Sequence, residues 1–344
     1  MIRLTERERN WSAGEKRPSL IITVDVEADM PRWEIEDSLR FRNIEGLAVF
    51  HRQCERWGVR PTYMVEYAVT EDHRATAILR DLHRSGRCEV GAHLHPWSCP
   101  PFSPGERQRI DFPSNLPDHR LVAKLESVTR RLTEVFGSPP RSYRAGKFGL
   151  NDLAPQLLAR LGYLADTSIT PMVDWRQLGG PDFSTEGPDP RWLVNGQCPL
   201  LEVPVGIVLT RRLLAPLRRI YLSTPRCLHL RGILGGEYLN WIDLVWLYPA
   251  LFSAEQMIVG CDRLVEDGVP VLNVFLHSSE LEPGQSPYTR TADDVNQYLE
   301  RLARVIDHAH VRLQARCETL SEFAERYRKE TGRERTGHLI AGYR

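Results

Sequence analysis

Apolar runs of four to seven residues recur along the 344-residue chain, at 20–25, 61–65, 88–93, 142–145, 163–168, 201–205 and 271–277. Most are rich in β-branched side chains and bounded by turn residues, which predicts strands. Between them, apolar positions recur every three or four residues. Ile44, Leu47, Ala48 and Cys54 form one such series, and Leu121, Leu125, Val128, Leu132 and Val135 a second. Leu299, Leu302, Ala303, Val305, Ile306 and Ala309 form a third. This is the spacing of a single helix face. Segments 150–161 and 254–267 read as further helices. A strand followed by a helix, about seven times over, implies a mostly parallel sheet with helices outside it. The expected fold is α/β, a distorted (β/α)7 barrel, closed or nearly so.

Two stretches break the rhythm. Residues 171–199 hold five prolines and four glycines and read as a long loop. Residues 210–236 carry Arg211, Arg212, Arg218, Arg219, Arg226 and Arg231. Within 209–222, Leu209, Leu213, Leu214, Leu217 and Ile220 alternate with the arginines. That pattern suits a surface helix with solvated arginines, or peripheral contact with an anionic membrane or a phosphate. The expected organisation is a charged extension over 1–18 and one domain over 19–330, with loop insertions near 171–200 and 206–250. A polar tail follows over 331–344.

Hydrophobic residues make up 42% and charged residues 26%, with 45 Lys plus Arg against 45 Asp plus Glu. A zero balance speaks against a nucleic-acid partner, which calls for a basic excess. The seven cysteines are odd in number, widely spaced and without a Cys-x-x-Cys pair, so reduced thiols and a cytoplasmic location are expected. The first 18 residues lack the apolar core of a signal peptide, and the apolar stretch 244–254 is too short to span a bilayer.

Chemistry concentrates at the ends of the predicted strands, the face where parallel barrels carry their active sites. Thr23-Val24-Asp25-Val26-Glu27-Ala28-Asp29 closes the first run. Side chains two apart on a strand share a face, so Asp25, Glu27 and Asp29 converge. Such acids repel one another unless a cation or proton lies between them, or one caps a helix or pairs with an arginine. Glu89-Val90-Gly91-Ala92-His93-Leu94-His95-Pro96-Trp97 closes the third run. His-x-His on a strand makes a compact metal clamp, and imidazole with carboxylate suits Zn, Fe, Co, Ni or Mn. His277 closes the last run, and Arg144 follows the fourth strand just before two glycines. Either of these last two residues, taken singly, also fits a structural role.

In order and spacing, these segments resemble the polysaccharide deacetylase family, the NodB homology domain of carbohydrate esterase family 4. The matching segments are TVDVEAD, EVGAHLHPW, YRAGKFG and FLHSS, supported by GVRPTYMV and GYLADTSITP, over about residues 19–280. Departures are evident. The family's second metal histidine stands four residues after the first, where this chain has Trp97, so His95 is the substitute. Val26 occupies the position of the motif's second Asp, so Glu27 becomes the expected ligand and Asp29 its competitor.

The resemblance implies a hydrolase that removes an N-acyl group, most simply N-acetyl, from a sugar, nucleotide sugar or lipid-linked saccharide. Glu27, His93 and His95 would hold a divalent metal, zinc first, with Co, Fe, Mn and Ni as alternatives. Asp25 would act as base, Arg144 would orient it, and His277 would be the acid. Trp97, Trp33 and Lys147 are the expected substrate contacts. Trp175, Trp192, Trp241 and Trp246 could also stack on sugars, although core packing explains most tryptophans. Two other readings stand beside this one. One is a hydrolase of another linear or cyclic amide; the other is a glycan-binding barrel with a degenerate site. An amidohydrolase barrel carries its His-x-His on the first strand, and a two-His-one-carboxylate oxygenase sits on a jelly roll, so both fit this pattern less well.

Overall fold

The computed structural model describes residues 17–32, 38–102, 111–194, 198–211 and 243–332. Strands β1 (Ser19–Val26), β2 (Thr62–Glu66), β3 (Glu89–Leu94), β4 (Ser142–Ala145) and β5 (Ala165–Asp166) alternate with helices. The intervening helices are α1 (Asn43–Trp57), α2 (His73–Arg84), α3 (Asp118–Phe136) and α4 (Ala154–Arg160). There follow β6 (Arg191–Val194), β7 (Leu200–Glu202), β8 (Ile207–Leu209) and β9 (Leu244–Trp246). The chain continues through α5 (Ala254–Glu266), β10 (Val271–His277), α6 (Ala292–Asp307), β11 (Arg316–Cys317) and α7 (Leu320–Glu330).

The main sheet runs β10-β1-β2-β3-β4-β5-β7-β6, and β11 adds to β1. Seven strands along this path, β10, β1, β2, β3, β4, β5 and β7, are parallel, and β6 is antiparallel to β7. This is the expected (β/α)7 arrangement, curled into an incomplete barrel. All eight residues of β1 are buried, because helices cover one face and the barrel interior the other. The α1 series read from the sequence, Ile44, Leu47 and Cys54, is buried against the core. That helix stops at Gly58, whose φ of 69° a side chain would strain.

Strand pairing does not join β7 to β10. The seam is closed by single hydrogen bonds: Gly206 N to Asn273 O (2.9 Å), Leu247 N to Gly206 O (2.7 Å) and Phe275 N to Leu247 O (3.2 Å). The Asn273 amide bridges the same gap, donating to Val203 O, Pro204 O and Thr167 Oγ1. A Cβ on Gly206 would stand 2.7 Å from Asn273 O, so only glycine lets the two edges approach. The β8–β9 hairpin fills the seam, and the segment leaving β9 brings Tyr248 to His277.

Some elements go beyond the periodicity read above. Helices α2 and α7 flank the barrel; α7 buries Leu320, Phe323 and Ala324 within an otherwise charged stretch. The 171–199 region is not loop throughout, because Arg191–Val194 pairs with β7. Strand β5 is two residues long, shorter than the apolar run 163–168. Among the described residues, no helix is long and apolar enough to cross a membrane. Of the segment 209–222, only residues 209–211 lie within the described residues.

Candidate active site

Strand register aims the candidate residues at one point. Asp25 stands beside His277, and Glu66 beside His93, which stands beside Arg144. Neighbours in register on a parallel sheet project to the same side, here into the barrel mouth. The Nε2 atoms of His93 and His95 lie 3.0 Å apart. Glu27 Oε2 is 3.0 Å from His95 Nε2 and 3.6 Å from His93 Nε2. All three residues are buried, and their ligand atoms lie within 4.8 Å of one another.

The donor atoms suit a cation. His93 Nδ1 donates to Arg144 O (3.0 Å), an oxygen that only accepts, which leaves Nε2 facing the centre, a lone-pair donor once the ring is neutral. Burial pushes His95 down to about 4, despite the pull of Glu27 in the other direction. Burial also opposes the charge on Glu27, yet its contacts with His93 and His95 outweigh burial and hold the carboxyl well below its usual range. Burial works against a charged His93, but Asp25 and Glu27 outweigh it and raise its pKa, so an ion binding here would displace that proton. Two imidazoles beside an ionised carboxylate are the donor set that Zn and its first-row neighbours take. The residues therefore fit a divalent ion. Among the described residues His95 Nδ1 has no hydrogen-bond partner, and it backs onto Gly146, where a Cβ would stand 2.4 Å from it.

The competition between Glu27 and Asp29 is resolved by the backbone. Strand β1 ends at Val26, and Asp29 turns away to the start of α1. Its carboxylate accepts from Asn43 N (2.9 Å), Asn43 Nδ2 (2.7 Å) and Arg42 N (3.1 Å). Asp29 thus caps the start of that helix and stands apart from the Glu27, His93 and His95 cluster.

Asp25 lies just outside the trio, its Oδ2 3.9 Å from His93 Nε2 and 4.0 Å from His277 Nε2. Its other oxygen accepts from Arg144 Nη1 at 2.7 Å. Arg144 is completely buried and also donates to Thr23 Oγ1, Thr167 O and Thr167 Oγ1. Burial raises the Asp25 pKa, but Arg144 and the two histidines outweigh it and leave a net lowering.

His277 faces Asp25 and Glu27 from the far side, its side chain 17% exposed at the barrel mouth. Behind it stands Glu280, which sequence reasoning missed. Glu280 Oε1 is 3.2 Å from His277 Nδ1, and Oε2 accepts from His277 N (3.0 Å) and Tyr298 Oη (2.6 Å). Tyr248 donates to Oε1 as well. Burial works against a charged His277, but Glu280, then Glu27 and Asp25, raise it to about 9. Glu66 is a second omission. It is buried at the end of β2 and pushed up to about 7, first by burial and then by Glu27. TYMVE carries the same acid-after-apolar-run signal as TVDVE.

The other half of the mouth is aromatic. Phe148 lies 5.5 Å from Phe275 and stacks on Trp175 at 6.0 Å, and Trp246 lies 6.2 Å from Phe275. Lys147 and Phe148 both have positive φ (51° and 60°), a strained turn just after Gly146 at the edge of the site. Of the expected substrate contacts, Lys147 is half-exposed, pairs with Asp111 at 2.9 Å and lies 5.5 Å from the Trp97 ring. Trp97 is 2% exposed, its ring 4.0 Å from that of His95, so it backs His95 instead of facing solvent. Trp33 and Trp241 lie outside the described residues.

No family model and no curated protein matches the sequence. Solved structures do resemble it. One, from Mycobacterium smegmatis and assigned as a polysaccharide deacetylase, has a TM-score of 0.57 at 16% identity, covering 97% of each chain. Another with the same assignment, from Pseudomonas aeruginosa PAO1, has a TM-score of 0.54 at 14% identity over 91% of each. Puue allantoinase has a TM-score of 0.55 at 15% identity over 92% of each. The chain has the fold of the polysaccharide deacetylases, the barrel to which its motifs pointed.

Proposed function

We propose that this protein is a metal-dependent hydrolase that removes an N-acyl group, most simply N-acetyl, from a sugar or sugar precursor. One observation carries the reading. A Glu-His-His ligand set, its atoms within 4.8 Å of one another, lies between an arginine-held carboxylate 3.9 Å from His93 and a carboxylate-held histidine 4.0 Å from Glu27. The fold shared with enzymes assigned as polysaccharide deacetylases supports it.

Glu27, His93 and His95 would hold the ion. When bound, a divalent ion polarises the amide carbonyl and lowers the pKa of a water towards ~7. Asp25 takes the proton of the attacking water, and Arg144 keeps that carboxylate ionised and oriented. An amine leaves poorly from an amide unless protonated. His277, held charged by Glu280, supplies that proton from the opposite side. Trp175 and Trp246, half-buried in the aromatic half, offer faces for a sugar ring. The substrate is a cytoplasmic precursor, a reading supported by the odd number and wide spacing of the cysteines.

The test loads the purified protein with zinc, cobalt or manganese and follows amine release from a panel of N-acetylated sugars and nucleotide sugars. Release that stops on chelation supports the reading. Binding of these compounds without hydrolysis, equally strong in Asp25→Asn, favours a degenerate glycan-binding barrel. The likeness to an allantoinase favours one second reading, hydrolysis of a cyclic amide by the same residues, so ureides and lactams belong in the panel.

A further inference from the structure

Only four of the 45 basic residues that are Lys or Arg are lysines: Lys16, Lys124, Lys147 and Lys329. One of them, Lys124 on α3, is completely buried. Its ammonium group donates to three backbone carbonyls, Pro96 O (2.9 Å), Cys99 O (2.5 Å) and Pro101 O (2.9 Å). These carbonyls belong to one loop, the segment that follows His95 immediately.

An ammonium group presents three N–H donors as a tripod, whereas guanidinium is a flat fork. Three carbonyls closing on one point match the tripod, which accounts for a lysine in a chain that otherwise uses arginine. The same loop is tied to the site at two further points. Trp97 packs on the His95 ring, and the Ser98 hydroxyl donates to His95 O (3.4 Å). His93 has a hydrogen-bond partner for its outer nitrogen; among the described residues His95 Nδ1 has none. On the side away from Glu27 and His93, the His95 ring is held by packing against Gly146 and the Trp97 ring, and Trp97 belongs to the loop that Lys124 gathers.

We propose that Lys124 is a positioning residue: its ammonium group fixes the 96–101 loop and, through it, sets His95 for metal binding. The metal part of this inference rests on the reading of Glu27, His93 and His95 as ligands, whereas the loop part does not.

The test combines two readouts on wild type, Lys124→Met, Lys124→Ala and a control, Leu132→Ala, a buried core change further along α3. The first is hydrogen exchange of peptides covering 94–102 in metal-free protein. The second is zinc affinity by competition with a chelator. Lys124→Met should speed exchange of this segment at least about tenfold. It should also weaken zinc binding by about 10–100-fold, the range found for groups that orient metal ligands. Ethylammonium should restore part of both in Lys124→Ala, because it refills the cradle. Leu132→Ala should leave both unchanged even when it lowers the melting temperature as much. Wild-type exchange in 94–102 together with zinc affinity within twofold of wild type would overturn the proposal, as would an equal effect from Leu132→Ala.

Should both lysine variants fail to fold, the wild type gives the answer without them. Acetylation of Lys124 by acetic anhydride, read by mass spectrometry, should slow at least fivefold on zinc addition while Lys329 is unaffected. Equal rates at Lys124 with and without zinc would overturn the coupling. If wild type binds no divalent ion at all, the ligand reading fails, and the exchange measurement still decides whether Lys124 holds the loop.

Discussion

Replacing Glu280 by Gln removes the charge behind His277 while keeping the size of the side chain and one oxygen, which can still accept from His277 N and Tyr298. The Glu280 Oε1 to His277 Nδ1 separation is 3.2 Å. At that distance, with an effective dielectric of about 20, the attraction has a ceiling of ~5 kcal/mol. An opposite charge this close shifts a pKa by about 1–3 units, or about 1.4–4 kcal/mol, which lies inside the ceiling. His277, raised to about 9, should therefore fall to roughly 6–8 in Glu280→Gln. The proposed acid works only while protonated, so activity is lost as pH rises through its pKa. The assay is kcat/KM against pH for zinc-loaded wild type and variant. The ion's own charge enters both profiles and cancels in their difference. The alkaline limb should move down by about 1–3 units, with the acid limb in place. Stability follows the same sign. A histidine raised above its unfolded value near 6.5 contributes stability below that pH and loses it between there and about 9. In the variant that window narrows. An alkaline limb that stays put while kcat falls at every pH would remove His277 from the role of acid.

Other expectations follow from the same geometry. Asp25→Asn should keep its metal and lose about 10²–10⁴-fold in kcat, and metal loss measured by elemental analysis would make Asp25 a ligand instead. Arg144→Ala leaves a buried carboxylate unpaired and should destabilise the fold by about 3–5 kcal/mol in urea melts. Since Arg144 holds Asp25 low, its removal should raise the acid limb of kcat/KM towards neutral pH. An unmoved limb would contradict the pairing. Gly146→Ala forces a Cβ within 2.4 Å of His95 Nδ1 and 2.6 Å of Leu94 O. It should weaken zinc binding at least tenfold in a chelator competition, and wild-type affinity would show that His95 is not held there.

The strand-end residues were legible because they obey a short-range rule. Asp25, Glu27, His93, His95 and His277 each close an apolar run, and alternation sends each pair to one face. The same rule could not separate Glu27 from Asp29, because both continue the alternation. The separation comes from where β1 ends and where α1 begins, with Asn43 bonded to Asp29, 14 residues away in sequence. Glu66 carries the rule's signal, but no second acid beside it marks it. Glu280 is close to His277 in sequence, yet its importance comes from Tyr248 and Tyr298, 32 and 18 residues away. Tyr248 itself sits in the apolar stretch 244–254, and only the open seam between β7 and β10 makes it part of a site. Trp97 looked like a sugar platform because it follows His95, and the loop gathered by Lys124 packs it behind His95 instead. Lys124 left no sequence signal beyond the scarcity of lysine.

The central claim is that Glu27, His93 and His95 together hold a divalent ion. Crystals of protein purified without chelator and supplied with zinc, measured on both sides of the zinc absorption edge, test it directly. The account predicts one anomalous peak per chain, about 2.0–2.2 Å from His93 Nε2, His95 Nε2 and a Glu27 carboxylate oxygen. A site without a peak, or a peak bound by Asp29 or Asp25 with His95 turned away, would contradict it.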